Sequence, residues 1–168
     1  VGTSSNFPYL RAICPQLCEL SKDRAFRLRV VSNKEFSYDG LNIDYFRWQP
    51  EKEAALLHDF DVGIMPLEDT EWARGKCAFK LLQYMAVAVP VVCSPIGTNR
   101  EVMQNGVHGF FAKTPADWRK PLLSLLEDAQ LRERMGTAGR ENVSQHYSVK
   151  ALLPRLLEIL NKVLERSE

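Results

Sequence analysis

The sequence predicts an α/β fold, a three-layer α/β/α arrangement with a doubly wound parallel sheet, and three observations predict it. Short apolar runs rich in β-branched residues alternate with helical patterns, as successive βαβ units require. The runs are apolar nearly throughout rather than alternating, as strands covered on both faces should be. No repeat, low-complexity segment or long linker interrupts the series, so residues 1–168 read as a single domain.

Val1 reads as the stub of an earlier strand, and a helix follows near Tyr9 to Leu20. The next strands are Leu28 to Val31 and Ile43 to Arg47, each short and dominated by apolar or aromatic residues. A helix over Glu51 to His58 leads to the strand Val62 to Met65, and a helix over Phe79 to Val87 to the strand Val89 to Cys93. Asn99 to Gln104 reads as a short helix, Gly109 to Ala112 as the last strand, and Trp118 to Glu127 and Leu131 to Asn142 as helices after it. The final helix has the clearest pattern. From Ser148 as N-cap, Val149, Leu152, Leu153, Leu156, Leu157, Leu160, Val163 and Leu164 recur at three- and four-residue steps, which predicts one buried stripe.

Composition narrows the function. Hydrophobic residues make up 45% and charged residues 26%, as in ordinary globular domains, and a net charge of +1 gives no global attraction to nucleic acid or to a membrane surface. An anion would have to be bound locally. Cys14, Cys18, Cys77 and Cys93 have neither zinc spacing nor the density of a disulfide scaffold, and read as reduced, buried thiols. No apolar run reaches the roughly 18 residues of a membrane span.

Open parallel sheets bind ligands at the carboxyl ends of their strands, which directs attention to the loops after Val31, Arg47, Met65 and Cys93. After Cys93, Thr98 and Glu101 have capping-box spacing, so a helix should begin at Thr98 with the amides of Thr98, Asn99 and Arg100 unpaired and Gly97 admitting close backbone approach. That is an anion site, or simply a tight turn and a cap. Lys76, Lys80 and Gln83, offset by four and then three, fall on one helical face as a polar row, either beside that anion or toward solvent. Two ammonium groups there would supply charge for a diphosphate. His108 reads as part of a surface turn at Asn105-Gly106.

The ordered set Gly75-Lys76-Cys77-Ala78-Phe79-Lys80-Leu81-Leu82-Gln83-Tyr84-Met85-Ala86, Pro90-Val91-Val92, Ser94-Pro95-Ile96-Gly97, Arg100-Glu101 and Asn105-Gly106-Val107-His108-Gly109-Phe110 resembles the C-terminal, donor-binding domain of the retaining GT-B glycosyltransferases of family 4. The likeness runs from Gly2-Thr3-Ser4-Ser5-Asn6 through Asp59-Phe60-Asp61-Val62-Gly63-Ile64-Met65-Pro66-Leu67 to Tyr147-Ser148. It implies a Rossmann-like half of a two-domain enzyme that transfers sugar from a nucleotide-diphosphate sugar with retention, the acceptor domain lying N-terminal to it in the same chain. It further implies no cofactor or obligatory metal, no nucleic-acid partner, a cytoplasmic location in polysaccharide biosynthesis with room for peripheral membrane association, and an isolated fragment without transfer activity.

Carried over by position, Lys76, Lys80, Gly97, Thr98 and Asn99 would contact the donor diphosphate and Gln83 the ribose, with Arg47 and Trp48 lining the nucleobase pocket; Trp48 could equally be a packing aromatic. Gln83 and Gly75 stand where the family usually has two glutamates, and Gly2 to Asn6 contains no arginine or lysine. A degenerate, non-catalytic member that binds a nucleotide or a partner is therefore the alternative. A phosphoacceptor domain fits less well, because Asp61 precedes its strand instead of ending it.

Overall fold

The computed structural model describes residues 1–165. Its elements in chain order are helix α1 (Phe7–Asp23), strands β1 (Leu28–Ser32) and β2 (Ile43–Arg47), α2 (Glu53–His58), β3 (Gly63–Met65), α3 (Glu71–Arg74), α4 (Phe79–Ala86), β4 (Val91–Cys93), α5 (Asn99–Val102), β5 (Gly109–Phe111), α6 (Arg119–Glu127), α7 (Ala129–His146) and α8 (Val149–Glu165). All strand pairing is parallel, as predicted, but it falls into two ladders: β1 with β2, and β3 with β4 and β5.

Alternation along the strands sends side chains into two cores. Val30, Ile64, Val92 and Phe110 face α1 and α6, where Leu17, Leu20, Trp118 and Leu122 are buried with them. Val91, Cys93, Met65 and Phe111 face α4, where Leu81, Tyr84 and Met85 meet Leu57 and Val102. Helices therefore cover both faces, which is the three-layer arrangement that unbroken apolar strands demand. α7 packs closely on α4 because Gly136 lets backbones touch: a Cβ there would lie 1.9 Å from the Ala88 carbonyl oxygen.

Several sequence expectations change. α8 forms where the periodicity put it, and the Ser148 hydroxyl accepts the Ala151 amide at 3.1 Å as its cap, yet none of its residues is buried. Its stripe of Leu152, Leu156 and Leu160 is exposed. Thr98 and Glu101 make no capping box; the box that forms is at Thr114 and Asp117. His108 is buried rather than at the surface, its Nδ1 accepting the Gln104 amide at 3.2 Å, and that burial lowers its pKa. All four cysteines are free, but Cys77 is exposed and Cys18 only half-buried. α3 was not anticipated; the Thr70 hydroxyl caps it by accepting the Ala73 amide.

Candidate functional site

The chain that connects β3 to α4 and the turn that opens α1 face each other across a cleft of about 430 Å³. Gly2, Thr3, Asn6, Pro66, Lys76 and Lys80 are among its walls, at the carboxyl ends of β1 and β3. The two lysines reach it by different routes. Ala78, at φ 54°, takes the left-handed conformation that an L residue rarely adopts, so α4 cannot extend backward to include Lys76. The shared helical face expected for Lys76, Lys80 and Gln83 thus holds only for the last two, and Lys76 enters the cleft from the bend that precedes the helix.

Lys76 Nζ donates to Asn6 Oδ1 at 3.1 Å and lies over the Tyr9 ring at 5.2 Å. Partial burial lowers its pKa. No acidic partner offsets it among the described residues, so its charge is available to an anion. Lys80 is different: its ammonium donates to Glu53 Oε1 at 2.8 Å and to Gln83 Oε1 at 2.7 Å. Glu53 is the hub of this second group. Its Oε1 also accepts Gln83 Nε2 at 3.0 Å, and its Oε2 accepts Trp48 Nε1 at 3.0 Å. Burial opposes ionisation of Glu53, but hydrogen bonds from Lys80, Trp48 and Gln83 outweigh it and hold the carboxyl below its ordinary pKa. With side-chain exposures of 15% for Glu53 and 27% for Lys80, this pair is shielded enough to be stronger than a surface ion pair.

Glu53 received no role from the sequence. An acidic residue in a first helical turn is the ordinary choice for a helix N-terminus, so nothing singled it out. The available signal was its place: α2 follows the loop that carries Trp48, and a carboxylate there balances a lysine expected in the same crevice.

The expected anion site at α5 is altered. A Cβ on Gly97, whose φ is 52°, would stand 2.5 Å from the Arg74 carbonyl oxygen, so the glycine admits the end of α3. The Asn99 amide donates to Ile96 and the Arg100 amide to Gly97, so neither is unpaired as expected. Asn99 is 1% exposed, with its side-chain nitrogen donating to the Ser94 carbonyl. Gly97, Thr98 and Asn99 are not among the walls of the cleft that holds Lys76 and Lys80. Trp48 joins the site through Glu53, whereas Arg47 is exposed at the end of β2 and makes no side-chain hydrogen bond or ion pair among the described residues.

Residues 5–128 match the family described as glycosyl transferases group 1. No curated protein matches the chain. Among solved structures, the C-terminal domain of a glycosyl transferase group 1 family protein (LpcC) from Francisella tularensis is similar with a TM-score of 0.71 and 14% identity, over 89% of this chain and 84% of that one. S. aureus TarM, in a complex that includes UDP, gives a TM-score of 0.65 and 18% identity over 88% of this chain and 32% of its own. Anabaena HepE in complex with UDP and glucose gives 0.60 and 17% over 74% of this chain and 32% of its own. The chain thus spans about a third of the length of these last two proteins.

Proposed function

The chain belongs to the group 1 glycosyl transferases, and from that premise we propose that it is the donor-binding half of a retaining GT-B enzyme of family 4, holding the nucleoside diphosphate of an activated sugar. The observation that carries this reading is the cleft at the strand ends, with the Lys76 ammonium on one side and the Trp48, Glu53, Lys80 and Gln83 group beside it. Breaking a sugar–diphosphate bond leaves negative charge on the departing phosphate, and fixed positive groups stabilise that charge as it develops. Lys76 and Lys80 take that role here. The Thr3–Asn6 turn adds the positive end of the α1 dipole, standing in for the cationic residues that the first loop lacks.

Gln83 and Glu53 offer a carboxamide and a carboxylate to ribose hydroxyls, and the indole of Trp48 offers a flat face to the base. Gly97 acts indirectly, by admitting the end of α3 that leads into Lys76. Acceptor binding, water exclusion and most of the rate belong to an N-terminal domain across the crevice, so this chain alone binds nucleotide and transfers almost no sugar.

A thermal-shift panel of UDP, GDP and ADP tests the reading. Two of the similar structures hold UDP, which makes it the first probe. Binding at 100 times the dissociation constant stabilises by about 2.7 kcal/mol, which raises the melting temperature of a chain this size by roughly 5–10 °C. Absence of a shift with all three diphosphates at millimolar concentration would refute the proposal.

A further inference from the structure

The turn that opens α1 is capped from a distance. Ser4 starts the helical run Ser4–Asn6 that leads into α1, so its amide is one of the donors that a helix start leaves without an internal partner. The ordinary cap would be the side chain of Thr3, but Thr3 makes no capping bond, and its hydroxyl instead lies 2.6 Å from that of Ser5. The acceptor is Asn33, whose Oδ1 takes the Ser4 amide at 2.7 Å across 29 residues of sequence. Asn33 directly follows β1, at the carboxyl end of that strand, and it is exposed.

The same carboxamide is tied to the other half of the site. The hydroxyl of buried Ser32 donates to Asn33 Oδ1 at 3.2 Å, and one amide oxygen has lone pairs for both donors. The Ser32 carbonyl accepts the Trp48 amide at 2.9 Å and the Tyr45 hydroxyl at 3.3 Å. At the far end of the turn, Asn6 Oδ1 accepts Lys76 Nζ at 3.1 Å. Ser32 and Asn33 therefore join the strand end that leads to Trp48 with the turn that holds Lys76. Thr3, Asn6 and Lys76 are walls of the cleft and Asn33 is not, so anything Asn33 does for a ligand it does through the turn.

We propose that Asn33 is a positioning residue for the diphosphate: by capping Ser4 from the end of β1, it fixes the Thr3–Asn6 turn, and through Asn6 the Lys76 ammonium, before a ligand arrives. The inference rests on the reading of this cleft as a diphosphate site and adds to it a residue outside the cleft walls. A turn left free to move loses conformational freedom when a ligand orders it, and that loss subtracts from affinity. The Asn33 cap removes the loss in advance. It also leaves the Thr3 hydroxyl out of the cap, at the exposed wall of the cleft, where a ligand oxygen can reach it.

The test compares wild type, Asn33→Ala and Asn33→Asp by calorimetric titration with UDP and with inorganic pyrophosphate, and follows the Ser4 amide by hydrogen exchange. Asn33→Ala removes the acceptor, so the Ser4 amide should exchange about 10-fold faster or more. Both ligands should bind about 5- to 20-fold more weakly, with a melting temperature close to that of wild type because the side chain is exposed. Asn33→Asp keeps an oxygen in the same place and adds a negative charge. Charge alone would make it the weakest of the three toward these anions, whereas a cap that positions the turn predicts tighter binding than Asn33→Ala and a protected Ser4 amide. Unchanged affinity in Asn33→Ala, or binding by Asn33→Asp no tighter than that of Asn33→Ala, overturns the assignment while leaving the diphosphate site standing. Failure of wild type to bind either ligand overturns the site itself and the role of Asn33 with it.

Discussion

Glu53 and a bound diphosphate should compete for Lys80, and replacing Glu53 by glutamine measures that competition. The substitution keeps the shape and an oxygen that can accept from Lys80 or Trp48, and it removes one negative charge. Lys80 Nζ lies 2.8 Å from Glu53 Oε1. A phosphate oxygen on the far side of the ammonium at a similar length would be about 6 Å from the carboxylate. Repulsion over that distance is about 0.7 kcal/mol at the dielectric of water and about 2.8 kcal/mol at an effective value of 20. Glu53→Gln should therefore tighten diphosphate binding by roughly 3- to 100-fold. Lys80→Ala should weaken it by more than about 10-fold, since it removes the attraction and leaves the carboxylate unpaired beside the ligand.

The double variant closes the cycle and should recover part of that loss, with a coupling of about 0.5–3 kcal/mol. Calorimetric titration with UDP and with inorganic pyrophosphate separates charge from ribose contacts, because pyrophosphate has no ribose. Because the Glu53 pKa is lowered in the folded chain, its charge and pairing persist through the ordinary carboxylate range and are lost as pH falls through the lowered value. Wild type and Glu53→Gln should differ at neutral pH and converge only in acid below that range. If Glu53→Gln leaves pyrophosphate affinity unchanged, or lowers it, in a protein with an unaltered melting temperature, the competition does not exist.

Gly136→Ala should cost at least about 2 kcal/mol in urea denaturation despite the better helix propensity of alanine, because the added methyl meets backbone at Ala88. Iodoacetamide followed by mass spectrometry should modify exposed Cys77 first, and Cys14 and Cys93 far more slowly, since burial pushes their pKa values up to about 11 and about 12. Leu156→Glu in α8 should change stability by no more than about 0.5 kcal/mol, because that side chain is exposed; a larger loss in thermal denaturation would mean that the stripe is covered in solution.

Periodicity made the secondary structure legible where it was strong. Ile43–Arg47 was placed to the residue, and α4 was placed to within one residue, because a change from period two to period 3.6 marks where an element starts. It could not say what covers an apolar face, and α8 shows this: its leucine stripe is real, and its leucines stay about half exposed. Lys76 was misplaced for a related reason. Helical spacing was carried four residues back from Lys80, across an alanine whose left-handed backbone no propensity would suggest. Gly97 reads as a position where backbone comes close to a ligand, and in the fold the Arg74 carbonyl stands at that spot, because a sequence does not tell whether a ligand or the protein's own backbone fills it.

The polar residues that make the site lie far apart in the chain, and the topology brings them together. Asn6 stands in the turn that opens α1, Trp48 directly follows β2, Glu53 opens α2, and Lys76 and Lys80 belong to the connection from β3 into α4. Trp48 and Glu53 follow the carboxyl end of β2, and Lys76 and Lys80 that of β3, so a parallel sheet must deliver them to one rim, where Lys76 meets Asn6. The electrostatic consequence is a crevice in which Lys76 has no acidic partner among the described residues, whereas Lys80 is held in reserve by Glu53. On the proposed reading such a rim would bind a diphosphate without a strongly basic chain, which would reconcile a net charge of +1 with an anionic substrate. Because the attraction is confined to two ammonium groups and a helix end, salt should weaken binding only modestly compared with a surface that neutralises many phosphates.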